Sequence, residues 1–553
     1  MNKPHKRLGE LLIEAELITN EQLETALREK KANQKIGETL LQLGFISEQR
    51  LIEVLEFQLG IPYVSLYKYP IDTKLLNIVP KETAERNKLI PLKKENNKLF
   101  VAMADPMDFY AIDDLRLSTG FQIEVVIATK EDIYKSINKY YSLVDNMDDL
   151  LGMDLKSKDH EEDTVTDENS PVVKLVNQMI LVAYQQRASD IHIDPREAEV
   201  VVRYRVDGIL RTEQKFPKNM LSMIVARIKI MANLNITEFR VPQDGRIKII
   251  LDGNAVDLRI STLPTVYGEK VVMRILDLGS SAIDLKRMNF HPTNYERFVQ
   301  LIDKPTGIVL ITGPTGSGKS STLYSALSQL NTPDVNIITV EDPVEYRLEG
   351  VNQVQVNANT GMTFAKGLRS ILRQDPNIVM VGEIRDTETA EISVRASLTG
   401  HLVLSTIHTN DAISTITRLI DMGIEPFLVA ASLSGVVAQR LVRRICQECK
   451  TIDMPTNREQ EIFEKRGLQV DTIARGKGCG ACNMTGYKGR IAIHEILVID
   501  DEIRRMIMNN RSMEEIRQIA VNKGTIFLLD DGLMKVKEGY TTTEEVLRVA
   551  ISE

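Results

Sequence analysis

The most continuous hydrophobic pattern in the chain is the run Ile308-Val-Leu-Ile-Thr312, followed by a polar, glycine-rich stretch and then by Leu323, Leu327 and Leu330 at helical spacing. An unbroken apolar run predicts a strand buried on both faces, and leucines three or four residues apart predict the core face of a helix. Residues 336–341, 377–381 and 402–406 repeat the strand pattern, and residues 434–445 are expected as a further helix. Strands alternating with helices predict a parallel, doubly wound sheet with its chemistry at the strand ends.

Other patterns flank this core. From Pro171 a helix is expected with Val172, Val173, Leu175, Val176, Met179 and Ile180 on one face, and alternating positions from Ser189 to about Ile275 predict a β-rich domain. Residues 62–66 and 98–104 read as strands and 105–116 as a helix, a small α/β lobe in which the sequence shows no chemistry. At the start, Arg7-Leu8-Gly9-Glu lines up with Lys35-Ile-Gly37-Glu, a repeat of period 28 whose copies each continue as a helix capped by Thr19 or Ser47. Ile503, Met506, Ile507, Ile516 and Ile519 mark amphipathic helices expected to cover the preceding domain.

At 553 residues the chain has room for about three or four domains. No apolar run approaches the ~18 residues of a membrane span and the first residues contain no apolar signal core, so a cytoplasmic protein is expected. Residues 145–170 hold ten acidic residues against two lysines, which accounts for the whole net charge of −8. That stretch is expected as an acidic linker, and the balanced remainder offers no basic field for nucleic acid.

The polar stretch after Thr312 is Gly313-Pro314-Thr315-Gly316-Ser317-Gly318-Lys319-Ser320-Ser321, a G-x-x-x-x-G-K-S pattern between strand and helix. Its glycines let backbone amides turn toward phosphate oxygens and the helix end adds positive potential. Lys319 is expected at the β and γ phosphates of ATP, with Ser320 on Mg²⁺. Acidic and basic residues gather after the later strands, in Glu341-Asp-Pro-Val-Glu345, Gly382-Glu383-Ile-Arg385-Asp386 and Ser405-Thr-Ile-His408. Gly382 stands where a metal-supporting aspartate is usual, which leaves Glu345 and Glu383 as alternatives for orienting the attacking water. His408 lacks a second ligand at metal spacing and is expected to sense the γ-phosphate. Cys446, Cys449, Cys479 and Cys482 form two C-x-x-C pairs and fit a structural four-thiolate Zn²⁺ site with no open position for catalysis.

Taken together, the glycine loop, E-D-P-V-E-Y, G-E-I-R-D, S-T-I-H, S-D-I-H, R-V-D-G and the paired C-x-x-C resemble the secretion ATPase superfamily, specifically the type IV pilus assembly and type II secretion ATPases. The resemblance implies an α/β fold: a RecA-like motor preceded by a β-rich, PAS-like α+β domain and a helical/α+β N-terminal region, with a zinc ribbon and C-terminal helices. It implies boundaries at 1–60 (tandem repeat), 61–144 (lobe), 145–169 (linker), 170–280 (β-rich), 290–440 (motor), 441–495 (cysteine segment) and 496–553 (helices). A homohexamer is implied, with Arg259 and Arg274 of the β-rich domain serving the nucleotide site. Implied too are an inner-membrane platform protein and a cytoplasmic assembly-ring protein as partners, and a place at the inner face of the cytoplasmic membrane. The repeat resembles the cyclic di-GMP-binding front module of some such ATPases, with Arg7, Leu8, Gly9, Lys35 and Gly37 at its motif positions; a purely structural helical pair is the alternative. Pilus extension is the expected work, with type II secretion and a non-hydrolysing cyclic di-GMP receptor as the rival readings.

Overall fold

The computed structural model describes residues 170–277 and 284–550. Before these it describes 17–30, 36–46, 60–64, 78–130 and runs of one to three residues between 9 and 141. Arg7, Leu8, Lys35, Ser47 and the acidic stretch 145–169 lie outside the described residues. The chain divides into two compact units, residues 1–179 and 180–553, with the helix Pro171–Gln185 running across the division.

In the first unit, helix Asn20–Glu29 starts at Thr19, whose side chain accepts from the Gln22 amide while Gln22 reaches back to the Thr19 amide. This reciprocal cap satisfies two otherwise orphaned donors. Gly9 is packed so closely on this helix that a Cβ there would come within 2.8 Å of Leu23, a packing role for one glycine of the repeat. The lobe contains β1 (Leu89–Glu95), β2 (Lys98–Met103) and β3 (Gln122–Ile127) in the order β1-β2-β3. Its helix runs Phe109–Thr119, four residues later than the pattern placed its start, because Asp108 is the cap and accepts from the Ala111 amide. Residues 62–66 were expected as a strand; the described part makes one bridge, Tyr63 to Ile127.

The second unit begins with a six-stranded antiparallel sheet, β4 (Ala188–Pro195), β5 (Glu199–Val206), β6 (Ile209–Pro217), β7 (Gln243–Leu251), β8 (Asn254–Thr265) and β9 (Gly268–Asp277), ordered β6-β5-β4-β9-β8-β7. Its register puts Arg246, Arg259, Arg274, Asp190 and Arg205 directly opposite one another across five strands, hence on one face.

The motor sheet follows: β10 (Gly307–Thr312), β11 (Ile337–Glu341), β12 (Asn352–Gln355), β13 (Ile378–Val381), β14 (Leu402–Ile407) and β15 (Leu433–Ile445). After the two-stranded ribbon β16 (Lys450–Asp453) and β17 (Ile473–Gly476) comes β18 (Tyr487–Val498). The seven strands lie β12-β11-β13-β14-β10-β15-β18, parallel except for β18. Both faces are covered, as an all-apolar strand requires: Ile308 and Leu310 enter one core with Ile503, Ile507, Ile516 and Leu533 of the C-terminal helices, while Val309 and Ile311 enter another with Leu323 and Leu327.

Residues 434–445 are a strand, not the expected helix. Val436 and Ala438 face one core and Val437 the other, so this stretch satisfies the two-residue period of a central strand, paired to β10 and β18.

Candidate nucleotide site and cysteine centre

Parallel pairing brings the carboxyl ends of β10, β11, β13 and β14 to one edge, and with them Gly313, Glu341, Glu383 and His408. Gly313 and Gly318 have φ of 150° and 87°, and a Cβ at either would come within 2.9 Å of Gln439 atoms. The loop therefore needs glycine for conformation and for space. Lys319, at the start of the helix Lys319–Leu330, is buried and donates from Nζ to Gly313 O at 2.8 Å and Pro314 O at 3.1 Å. Burial draws its ammonium down to about 8, partly opposed by Glu383. A buried lysine with only carbonyl partners is a ready counter-charge for a polyanion. Pro314, Thr315, Gly316 and Ser320 are exposed and Ser321 half-buried, while Ser317 is buried and its carbonyl accepts from Gln439 Nε2 at 2.8 Å.

Glu383 follows β13 and pairs with Arg385 Nε at 2.6 Å; its Oε2 also lies 3.5 Å from His408 Nε2. His408 is exposed at the end of β14. Gly382 packs on β11, where a Cβ would stand 3.3 Å from the Glu341 backbone, leaving little room for the usual aspartate. Asp386 caps helix Thr387–Leu398 through the Thr389 amide.

Glu341 is buried and fully engaged by Tyr324, Thr339 Oγ1 at 2.6 Å and Gln353 Nε2 at 3.1 Å. The Tyr324 hydroxyl also receives the Glu345 amide at 3.2 Å, so this residue of the phosphate-loop helix sets the E-D-P-V-E-Y segment in place. The Glu345 carboxylate meets Arg259 Nη2 at 3.2 Å, joining the β-rich sheet to the motor. Arg274, expected beside it, is instead paired to Asp190 at 2.9 Å, with Arg205 on the other oxygen at 3.3 Å. The structure thus brings Arg259 to the carboxylate and keeps Arg274 in an ion pair within its own sheet.

Sequence reasoning passed over Tyr324, Gln439 and Arg440. Arg440 is 5% exposed beside the glycine loop, and its only advance signal was a charge inside an otherwise apolar run.

The four cysteines are all buried, and their sulfurs lie within 4.8 Å of one another. The pairs 446–479, 449–482 and 479–482 each measure 3.8 Å, the edge of a tetrahedron drawn around an ion with ~2.3 Å bonds to sulfur. Amides of Gly478, Cys479 and Gly486 donate to Cys449 or Cys482 sulfur at 3.2 to 3.3 Å, the second shell that thiolates need. Burial raises Cys479 to about 11 and pushes Cys449 up further, so these thiols become thiolates when a cation compensates them. The donor set fits zinc.

Residues 165–548 match the family described as Type II/IV secretion system protein, and residues 59–147 match the MshEN domain. The chain belongs to the type II/IV secretion ATPase family. It is 44% identical over 558 residues to the type IV pilus assembly ATPase PilB of Myxococcus xanthus, covering 98% of each chain. It is 42% identical over 566 residues to the type II secretion system protein E of Xanthomonas campestris, again covering 98% of each. The ATPase DotB of Legionella pneumophila shares the fold at a TM-score of 0.52 and 23% identity, over 68% of this chain and 95% of that one. The MshEN match falls on the lobe of β1–β3, not on the repeat at residues 7–58. Among the described residues of this secretion ATPase, no helix is long and apolar enough to cross a membrane.

Proposed function

We propose that the chain hydrolyses ATP as a homohexameric motor at the inner face of the cytoplasmic membrane and that the work drives assembly of a type IV pilus. The ion pair Arg259–Glu345 supports this most directly, since it sets a guanidinium from the β-rich sheet on a carboxylate of the E-D-P-V-E-Y segment. Gly313 to Ser321 cradle the phosphates and Lys319 leaves its carbonyl partners for the β and γ oxygens. Glu345 or Glu383 orients the attacking water, with the other acting on the metal shell. Ser320 would hold Mg²⁺, which would neutralise charge between the phosphates. His408, against Glu383, senses the γ-phosphate, and Arg259 stabilises charge in the transition state, joined by Arg274 when it leaves Asp190. Hydrolysis then turns the β-rich domain against the motor, and a platform protein and an assembly-ring protein receive the motion.

The 42% identity to a type II secretion protein supports pseudopilus assembly as the second reading. In the native cell, Lys319→Ala separates the two when surface fibres are imaged and secreted proteins profiled together. Loss of fibres with normal secretion is expected. Trapped exported enzymes with intact fibres would move the motor to secretion, and no change in either would remove it from both. For the front repeat we propose cyclic di-GMP binding on the strength of Arg7-Leu8-Gly9, tested by calorimetry with Arg7→Ala. An absence of heat with the wild-type chain would leave the repeat a structural pair.

A further inference from the structure

We propose that Arg440 is a positioning residue that locks the loop presenting His408 to the stem of the glycine loop, so that the two respond to nucleotide as one piece. The inference rests on the reading of His408 given above.

Arg440 follows the point where β15 pairs with β10 at Ala438 opposite Thr312. Its Nη1 lies so close to the first glycine of the loop that a Cβ on Gly313 would come within 2.9 Å of it. Its hydrogen bonds go to two backbone carbonyls, Nη1 to Gln439 O at 3.1 Å and Nη2 to Asn410 O at 2.5 Å. Burying a guanidinium is costly, and a carboxylate partner is the usual compensation. Here Glu495 and Asp411 act on it through their fields, and two of its donors hold chain in place.

Asn410 is two residues beyond His408. Between them, the Thr409 amide donates to Thr312 Oγ1 at 2.8 Å and that hydroxyl donates in turn to Thr409 O at 3.0 Å. The 408–410 loop is therefore pinned at two successive residues, by Thr312 at the end of β10 and by Arg440 on β15. Just behind it, the Ala412 amide donates to Glu495 Oε1 at 3.1 Å. A lysine at 440 would keep the charge but lose the planar fork that spans two carbonyls.

The test uses the full-length, assembled protein with phosphate release measured against ATP concentration, and binding of a fluorescent ADP measured alongside. Arg440→Lys and His408→Ala are each expected to lower kcat on the order of tenfold, the cost of one charge-assisted hydrogen bond, with KM and ADP affinity within about twofold of wild type. The double variant is expected to be no slower than His408→Ala alone. Multiplying effects in the double variant overturn the proposal. A loss carried by KM and ADP affinity also overturns it, and assigns Arg440 to the phosphates themselves. If His408→Ala turns over at the wild-type rate, the His408 reading fails by itself, whatever Arg440→Lys does. Should Arg440→Lys fail to fold, Arg440→Gln, which keeps a donor without charge, is read in the same cycle.

Discussion

Two side chains carry opposite lessons about charge in this chain. Arg259 spans a domain junction to reach Glu345, so its loss should act on rate and not on folding. Arg259→Ala is expected to slow phosphate release by about 10³ with little change in the unfolding midpoint; wild-type turnover would take the role away. Glu495 is buried at the heart of the second unit, where it receives the first amides of two helices, Ala412 at 3.1 Å and Leu528 at 3.4 Å. Burial, with the Asp411 charge next, raises its carboxyl from 4.5 to about 7. The folded state therefore keeps a proton that the unfolded chain releases. Stability that is full below about pH 4.5 is lost as pH rises toward about 7, by on the order of 3 kcal/mol. Calorimetric midpoints between about pH 5 and 7 should fall less in Glu495→Gln than in wild type; parallel slopes would show that Glu495 titrates normally. The glycine loop was legible because its G-x-x-x-x-G-K-S spacing is continuous in sequence. Tyr324, Gln439 and Arg440 were not, because their partners (Glu341 and the Glu345 amide for Tyr324, Ser317 O and the Thr322 hydroxyl for Gln439, Asn410 O for Arg440) are brought close only by the fold and leave no spacing signature.

At the scale of elements, the strand-helix alternation read true where an apolar run was short and ended in polar or glycine residues, as in β10, β11, β13 and β14. It failed at β15, where Gln439 and Arg440 interrupt the apolar stretch and mimic a helical face. What decides that stretch is a neighbour far away in sequence: β18 pairs antiparallel with it from Gly435 to Ile445. The same two strands carry the cysteine centre at their ends, between Ile445 and Tyr487. Its C-x-x-C pairs were legible because two such turns fix a tetrahedron without help from a core. Reduced protein is expected to carry about one zinc per chain by mass spectrometry of the metal, worth about 10–16 kcal/mol of apparent binding. Cys482→Ser should release it and speed amide exchange across residues 446–489, while β10 amides, sealed between two cores, stay protected. Metal-free protein with unchanged exchange would mean that the knuckle folds on its own contacts.

For the whole molecule, the question is how a nucleotide event at a few strand ends becomes a movement large enough to do work. Among the described residues, polar contacts join the β-rich sheet to the motor at the site, Arg259 to Glu345, and beyond it, where the Gly489 amide donates to Asp207 Oδ2 at 3.0 Å. Asp207 and Gly208 form the tight turn between β5 and β6, and Gly489 lies at the start of β18, just past the cysteine centre. Polar contacts of this kind contribute about 1 kcal/mol each, small beside the apolar cores on either side, so the junction can open while the two bodies stay intact. If turnover requires that opening, tying the far contact shut should stop the cycle after binding. Asp207→Cys with Lys488→Cys, joined by mild oxidation with zinc content monitored, is expected to bind ATP normally and release little phosphate, and reductant should restore the rate. Full turnover by the joined protein would show that the β-rich domain and the motor travel together, and that the moving junction lies elsewhere.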